Sequence, residues 1–290
     1  MHRSASARRR GASDGDRRVS DLTGNAHARI SGEIQLREVG GVEALELDGE
    51  TNTLLITDDL NEAPLPRNSL SVETWVRVDE ADSAGGIIGC MQDSKHEKSG
   101  WMLGFHHSRF VFGLAAEGGA EGITFLSGKT PVRPGHWYHV VARYNGEIAR
   151  LSVNGVEEAV DEHQQGGITY PATGFYEMGA SHDADSFHPM YGMLHEVRVY
   201  ERNVTDEEIS RRYQAKRDRF NIPIELQTGP YAQFVAADSA RIRWQTATPV
   251  PTRLVLMEGR RTRRFDNPQP TVSHDVIVDQ LPRDRMLHYL

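Results

Sequence analysis

The side chains able to do chemistry in this chain are scattered among loops and turns. Asp183 and Asp185, two residues apart in the loop S-H-D-A-D-S-F, could supply carboxylates to a cation. Calcium is the metal such donors suit, because a hard cation takes carboxylates and loop carbonyls; a solvated loop acid is the plainer reading of each. The 13 histidines invite a transition-metal reading. His106 and His107 are adjacent and alternate faces, however, and His136 and His139 fall on opposite faces of a strand, so neither pair has the one-face spacing that chelation prefers. His182, His188 and His195 are more dispersed still. Glu73 reads as a solvated strand residue or a groove acid. Trp101, Tyr170, Phe187 and Tyr191, all near loops, offer apolar faces on which a sugar or peptide could stack, and core packing explains each equally well.

The elements that must position these groups are strands. In W-Y-H-V-V-A-R-Y-N-G-E-I-A-R-L-S-V-N-G (137–155), Tyr138, Val140, Ala142 and Tyr144 alternate, as do Ala149, Leu151 and Val153. Asn145-Gly146 and Asn154-Gly155 supply the positive φ of tight turns, so the stretch is a meander. Leu70 to Val78 alternates with Trp75 on the less apolar face, where it needs a cover. Trp101 to Phe105 and Arg109 to Leu114 form a hairpin around His106 to Ser108. Short strands between Gly-rich turns, with no helical period among them, predict an all-β antiparallel sandwich. Near its end, Thr205-Asp-Glu-Glu208 is a capping box that starts a short helix with Ile209 and Tyr213 on one side.

These segments resemble, in family order over about residues 42–216, the laminin-G-like (concanavalin A-like) jelly-roll family. The matching pieces are L-E-L-D-G at 45–49, S-V-E-T-W-V at 71–76, the tryptophan-His-Val strand and its L-S-V-N-G end, G-M-L-H-E-V-R-V-Y at 192–200 and T-D-E-E-I at 205–209. His195 stands where an aspartate is more usual. The resemblance implies a binding module for carbohydrate or protein, a calcium site near Asp48, a structural hydrogen bond at His139, and secretion or a periplasmic home. The Glu-x-Asp-x-x-Glu arrangement of related glucanases is missing, so two-acid glycoside hydrolysis has no support.

Composition bounds the rest. The net charge of -8 argues against nucleic acid as partner, and no apolar run reaches the roughly 18 residues of a membrane span. Cys90 is the single cysteine, which excludes an intrachain disulfide and reads as a buried thiol. The start, M-H-R-S-A-S-A-R-R-R-G-A-S-D-G-D-R-R-V-S, carries six arginines and two aspartates, with no apolar segment of the kind a signal needs. Residues 1–30 therefore read as a disordered basic tail, and 31–220 as the jelly roll.

Pro223 begins a linker (221–228), after which G-P-Y-A-Q-F-V-A-A-D-S-A-R-I-R-W-Q-T (229–246) is similar to the fibronectin-III-like domain that precedes the catalytic domain of purple acid phosphatases and related metallophosphoesterases. His274 to Leu281 resembles a later strand of that domain. A sandwich of this type needs roughly 100 residues, so 229–290 reads as incomplete and the chain as truncated, with a phosphoesterase domain as the absent partner. The Gly-Asp-x-x-Asp and Gly-Asn-His-(Asp/Glu) segments that hold two metals in such enzymes do not occur here. The expectation is a non-catalytic binding or scaffold module, with part of a metal-dependent phosphatase and a structural adhesion domain as alternatives.

Overall fold

The computed structural model describes residues 2–5, 18–24, 26–61, 63–220, 224, 226–258, 261–282 and 288–289. They divide into two compact units, Met1–Ile222 and Pro223–Leu290, each described by itself.

In the first unit the strands are β1 (His2–Ala5), β2 (Arg18–Val19), β3 (Ala28–Ser31), β4 (Gln35–Val39), β5 (Val42–Asp48), β6 (Thr53–Thr57), β7 (Leu70–Val78), β8 (Gly85–Asp93), β9 (Lys98–His106) and β10 (Arg109–Leu114). They continue as β11 (Ala116–Gly119), β12 (Thr124–Ser127), β13 (Trp137–Tyr144), β14 (Ala149–Val153), β15 (Val156–Asp161), β16 (Gln164–Ile168), β17 (Tyr176–Met178), β18 (Ala180–His182), β19 (Phe187–Pro189) and β20 (Tyr191–Tyr200). One sheet runs β15-β14-β13-β7-β20-β5-β4, with β1 paired to β20; the other runs β12-β10-β9-β8-β17-β6-β3-β2. Every pairing is antiparallel.

Alternation sets the core between the sheets. Leu70, Val72, Val76 and Val78 of β7, Val140, Ala142 and Tyr144 of β13, and Trp101, Leu103 and Phe105 of β9 all belong to one buried cluster. Both expected turns form: Asn145 Oδ1 accepts the amides of Glu147 and Ile148, and Asn154 and Gly155 take φ of 51° and 81°. The other face of β7 is buried too. There Trp75 packs with Trp137, Met193, Tyr213 and Phe220, so its cover is the helix α1 (Asp206–Lys216) and the 3-10 turn that follows it (Arg217–Phe220). The capping box closes α1, with Glu208 donating its amide to Thr205 Oγ1 and Thr205 its amide to Glu208 Oε2.

The sandwich reaches into the stretch expected to be a tail. β2 and β3 join the second sheet through β6, and β1 extends the first at Val197 to Tyr200. Basic composition hides this because a two- to four-residue strand needs only one or two apolar contacts, such as buried Val19 and Ala28. Positions 1, 6–17 and 25 of the expected tail lie outside the described residues.

Cys90 is buried among the core side chains, and burial pushes its thiol up to about 12. A neutral, enclosed thiol is unreactive. Iodoacetamide at pH 8 should leave the native protein unlabelled and modify it fully in denaturant; rapid native labelling would contradict the buried placement.

Among its described residues the second unit forms a four-stranded sheet: β21 (Leu226–Ala236), β22 (Ser239–Glu258) and β23 (Arg261–Val278) in order, with β24 (His288–Tyr289) paired to β22. The two units part at Pro223, and Leu226 to Thr228, within the stretch 221–228 expected as linker, belong to β21. Registers shift between Gln245 and Thr252, and the apolar cluster joins Ala240, Ile242, Val276 and Val278 from one end of the long hairpin to Leu254 and Leu256 from the other. His274 holds the bend. Its buried ring stacks on Trp244 at 4.8 Å and meets Thr246 Oγ1 at 3.1 Å and Thr252 Oγ1 at 2.9 Å, and burial lowers its pKa.

Candidate functional site

Among the described carboxylates Glu73 is the most enclosed, and it is neither solvated nor in a groove. Its Oε1 lies 2.9 Å from His139 Nε2, and its Oε2 accepts from Arg212 at 2.6 Å and from the Tyr200 hydroxyl at 3.5 Å. Arg198 stands 3.8 Å away. Desolvation works to raise the carboxyl pKa, but the His139 hydrogen bond and the His139, Arg212 and Arg198 charges outweigh it and hold the group down at about 2. Alternation places Glu73 opposite the core face of β7; α1, folding over that face, is what seals it. This cluster ties the helix to the sheet and offers no access to a substrate.

The expected ligand platforms do not converge. Trp101 is wholly buried because it shares the inward phase of Leu103 and Phe105, and its Nε1 donates to the Tyr170 hydroxyl at 3.1 Å. Tyr170 in turn donates to the Pro66 carbonyl, so both serve the core and its lid loop. Phe187 is exposed on β19, edge-on to His182. Tyr191 is exposed elsewhere, in a cleft of about 450 Å³ that Asp48 also lines.

Two of the carboxylates expected to hold calcium, Asp48 and Asp183, accept hydrogen bonds from their own turns. Asp48 Oδ1 accepts the amides of Glu50, Thr51 and Asn52 at 2.9 to 3.1 Å, and its other oxygen faces the Thr51 hydroxyl. Those hydrogen bonds outweigh its desolvation and lower its pKa. Asp183 likewise accepts the amides of Asp185 and Ser186 and the Ser186 hydroxyl. A carboxylate has about four acceptor positions, and here donors already point at them. Among the described residues no group of three or more His, Cys, Asp or Glu side chains is placed to hold a metal. His195, in the position where the family more often has aspartate, sits in a β-bulge and faces the Glu43 carbonyl at 2.6 Å.

The recess best suited to a ligand is one that the sequence did not point to, a cleft of about 500 Å³ on the outer face of the second sheet. Because Trp101, Leu103 and Phe105 point inward, Met102 and His106 point out, beside Met91, Val111 and Phe125 from β8, β10 and β12. Met91, Met102 and Val111 form an apolar floor, and Phe125 remains 47% exposed although it lies in a strand. A glycine makes this possible: a Cβ at Gly113 would stand 2.7 Å from the Phe125 ring and 3.2 Å from Met91 Sδ. The rim is polar. Asp93, His106 and Ser127 come from the sheet, and Ser181, Asp183, Ser186 and His188 from the β18–β19 hairpin, which forms one wall.

That hairpin reads in the sequence as a loop, since three-residue strands are too short for a period. Its signal was Asp183 followed three residues on by Ser186, an Asx turn. Asp183 thus shapes the wall. Ser181 and Asp183 face the cleft, whereas His182 turns away and stacks on Phe175 at 4.2 Å.

Two antiparallel sheets enclosing one core, each with its central gap filled by a late strand, and a recess on an outer face define a jelly roll of the laminin-G-like kind. The family model described as the concanavalin A-like lectin/glucanases superfamily matches residues 48–210, more than half of the chain, and the chain belongs to that family. Pappalysin-1 of Mus musculus and of Homo sapiens are each 28% identical to it over 141 residues, covering 45% of this chain. The chain spans only 8% of the length of those relatives. Among solved structures, the binding domain of botulinum neurotoxin DC, in complex with rat synaptotagmin II, aligns with a TM-score of 0.54 at 12% identity, covering 92% of this chain and 78% of that one. Botulinum neurotoxin type C, whose cell entry depends on two ganglioside molecules, aligns with a TM-score of 0.53 at 15% identity, covering 91% and 61%. Identities this low show a shared fold alone.

Proposed function

We propose that the first unit is a non-catalytic carbohydrate-binding module and that the glycan lies in the cleft on the second sheet. The observation that carries this reading is the exposed Phe125 ring beside a Met91, Met102 and Val111 floor, rimmed by carboxylate, hydroxyl and imidazole groups. A pyranose presents a C–H face and a ring of hydroxyls, which such a surface meets with an apolar platform and hydrogen-bonding partners. The dependence of one fold neighbour, botulinum neurotoxin type C, on gangliosides supports the ligand class, and the synaptotagmin complex makes a protein ligand the competing outcome.

Screening the protein against neutral and acidic oligosaccharides should find binders, and Phe125→Ala should weaken them about tenfold, roughly 1.4 kcal/mol. Unchanged affinity in Phe125→Ala, or protein ligands bound in place of glycans, overturns the cleft as a sugar site.

A second reading concerns the parent protein. Trp244, Thr246 and His274, all within the segments that resemble the lead-in domain of metallophosphoesterases, meet in one stack and hydrogen-bonded group. That convergence supports a binding module attached to a phosphoesterase. Metal-dependent release of phosphate from p-nitrophenyl phosphate by the natural gene product tests it, and an inactive natural product counts against it.

A further inference from the structure

The hairpin that walls the cleft rests on an unusual support. Glu177, at the centre of β17, lies on the outward side of that strand, because Tyr176 and Met178 are in the core. It is only 4% exposed, and among the described residues its Oε1 has no hydrogen-bond partner. The groups around it are few. β6 presents the Thr53 hydroxyl and β8 presents Gly89 opposite Glu177, neither of them titratable. β18 presents His182, whose Nδ1 is 3.9 Å from Oε1, too far for a hydrogen bond, and β19 presents Phe187, edge-on to that imidazole. His182 is held at this distance by its stack on Phe175. A buried carboxyl therefore lies directly under the hairpin, beside an imidazole that is partly open to solvent.

We propose that Glu177 and His182 form a proton-controlled latch beneath the β18–β19 hairpin: with Glu177 protonated the hairpin stays closed on the sheet, and with Glu177 ionised it loosens and the cleft loses its wall. The physical cause is desolvation. A neutral carboxyl is tolerated in this enclosure, whereas a carboxylate with one unpartnered oxygen draws in water or pulls His182 from its aromatic stack. Burial raises the carboxyl pKa to about 7, against the weaker opposing effect of Thr53. A raised folded-state pKa means that the stabilisation from the proton is complete below the ordinary carboxyl range, near 4.5, and is lost as pH rises through about 7.

The latch bears on ligand affinity only through the proposed binding cleft, so the experiment reads the hairpin itself. Amide hydrogen exchange would be followed between pH 5.5 and 8.5, after correction for intrinsic rates, at Met190, which donates to the Gly179 carbonyl, and at Asp183, which donates to the Ser186 carbonyl. Protection should fall about tenfold with a midpoint near 7 in the wild type and stay constant in Glu177→Gln. Protection independent of pH in the wild type overturns the latch, as does an unchanged pH dependence in Glu177→Gln. Should that variant fail to fold, the carboxyl carbon-13 shift of Glu177 in the wild type decides: a midpoint more than one pH unit from that of the exchange removes the link. None of these outcomes depends on whether a glycan binds, so loss of the latch and loss of the binding site are told apart.

Discussion

Replacing Glu73 with alanine is expected to cost about 3 to 5 kcal/mol, because removing one member of a buried ionic group strands the others. Arg212 and His139 would lose their shared carboxylate, and Arg198 would keep Glu196 while losing Glu73. The pH dependence carries its own sign. With the folded-state pKa held at about 2, below the ordinary glutamate value of 4.5, the contribution is complete above 4.5 and is lost as pH falls through 2. Urea unfolding of wild type and variant at pH 7, 4 and 2.5 should give a wide gap at neutrality that narrows at the lowest pH. A gap below 1 kcal/mol at pH 7, or one that is flat across the series, would show that the cluster is not the clamp described.

Trp75→Ala should be comparably damaging, at about 3 to 5 kcal/mol, the range for removing a large buried aromatic side chain. Phe220 lies flat against Trp75 at 4.0 Å, and Tyr213 stacks at 6.1 Å, so the indole is the surface on which α1 and the turn after it rest. Trp75→Phe keeps part of that surface and should cost less than half as much. If both variants unfold at the wild-type urea concentration, the helix is held by the ionic cluster alone.

These two side chains also mark how far residue patterns reach. Alternation in β7 and β13, the two Asn-Gly turns and the capping box are local, and each appears in the structure where the chain predicts it. Glu73 departs from its expected solvation because period two says which face a residue occupies and nothing about what covers that face. The cover is α1, more than 130 residues later in the chain. Trp101 is a different case, since its inward phase with Leu103 and Phe105 is legible in the alternation and decides its place over its nearness to a loop. The cleft could not be read at all. Its floor is the outward phase of β8, β9, β10 and β12, brought together only by pairing, and its wall is a hairpin of strands too short to show a period.

The order of strands in the two sheets has a consequence for biosynthesis. β20 lies between β7 and β5, and β17 lies between β8 and β6, so residues 176–200 complete both sheets at their middles. A ribosome that has delivered the chain as far as β16 has exposed β5, β6, β7 and β8 with open edges, and such edges pair readily with other chains. The nascent sandwich therefore stays vulnerable for most of its translation. Slow codons or a pause ahead of residue 176 would lengthen that interval, and the yield of soluble protein should depend more on translation speed there than anywhere later in the gene.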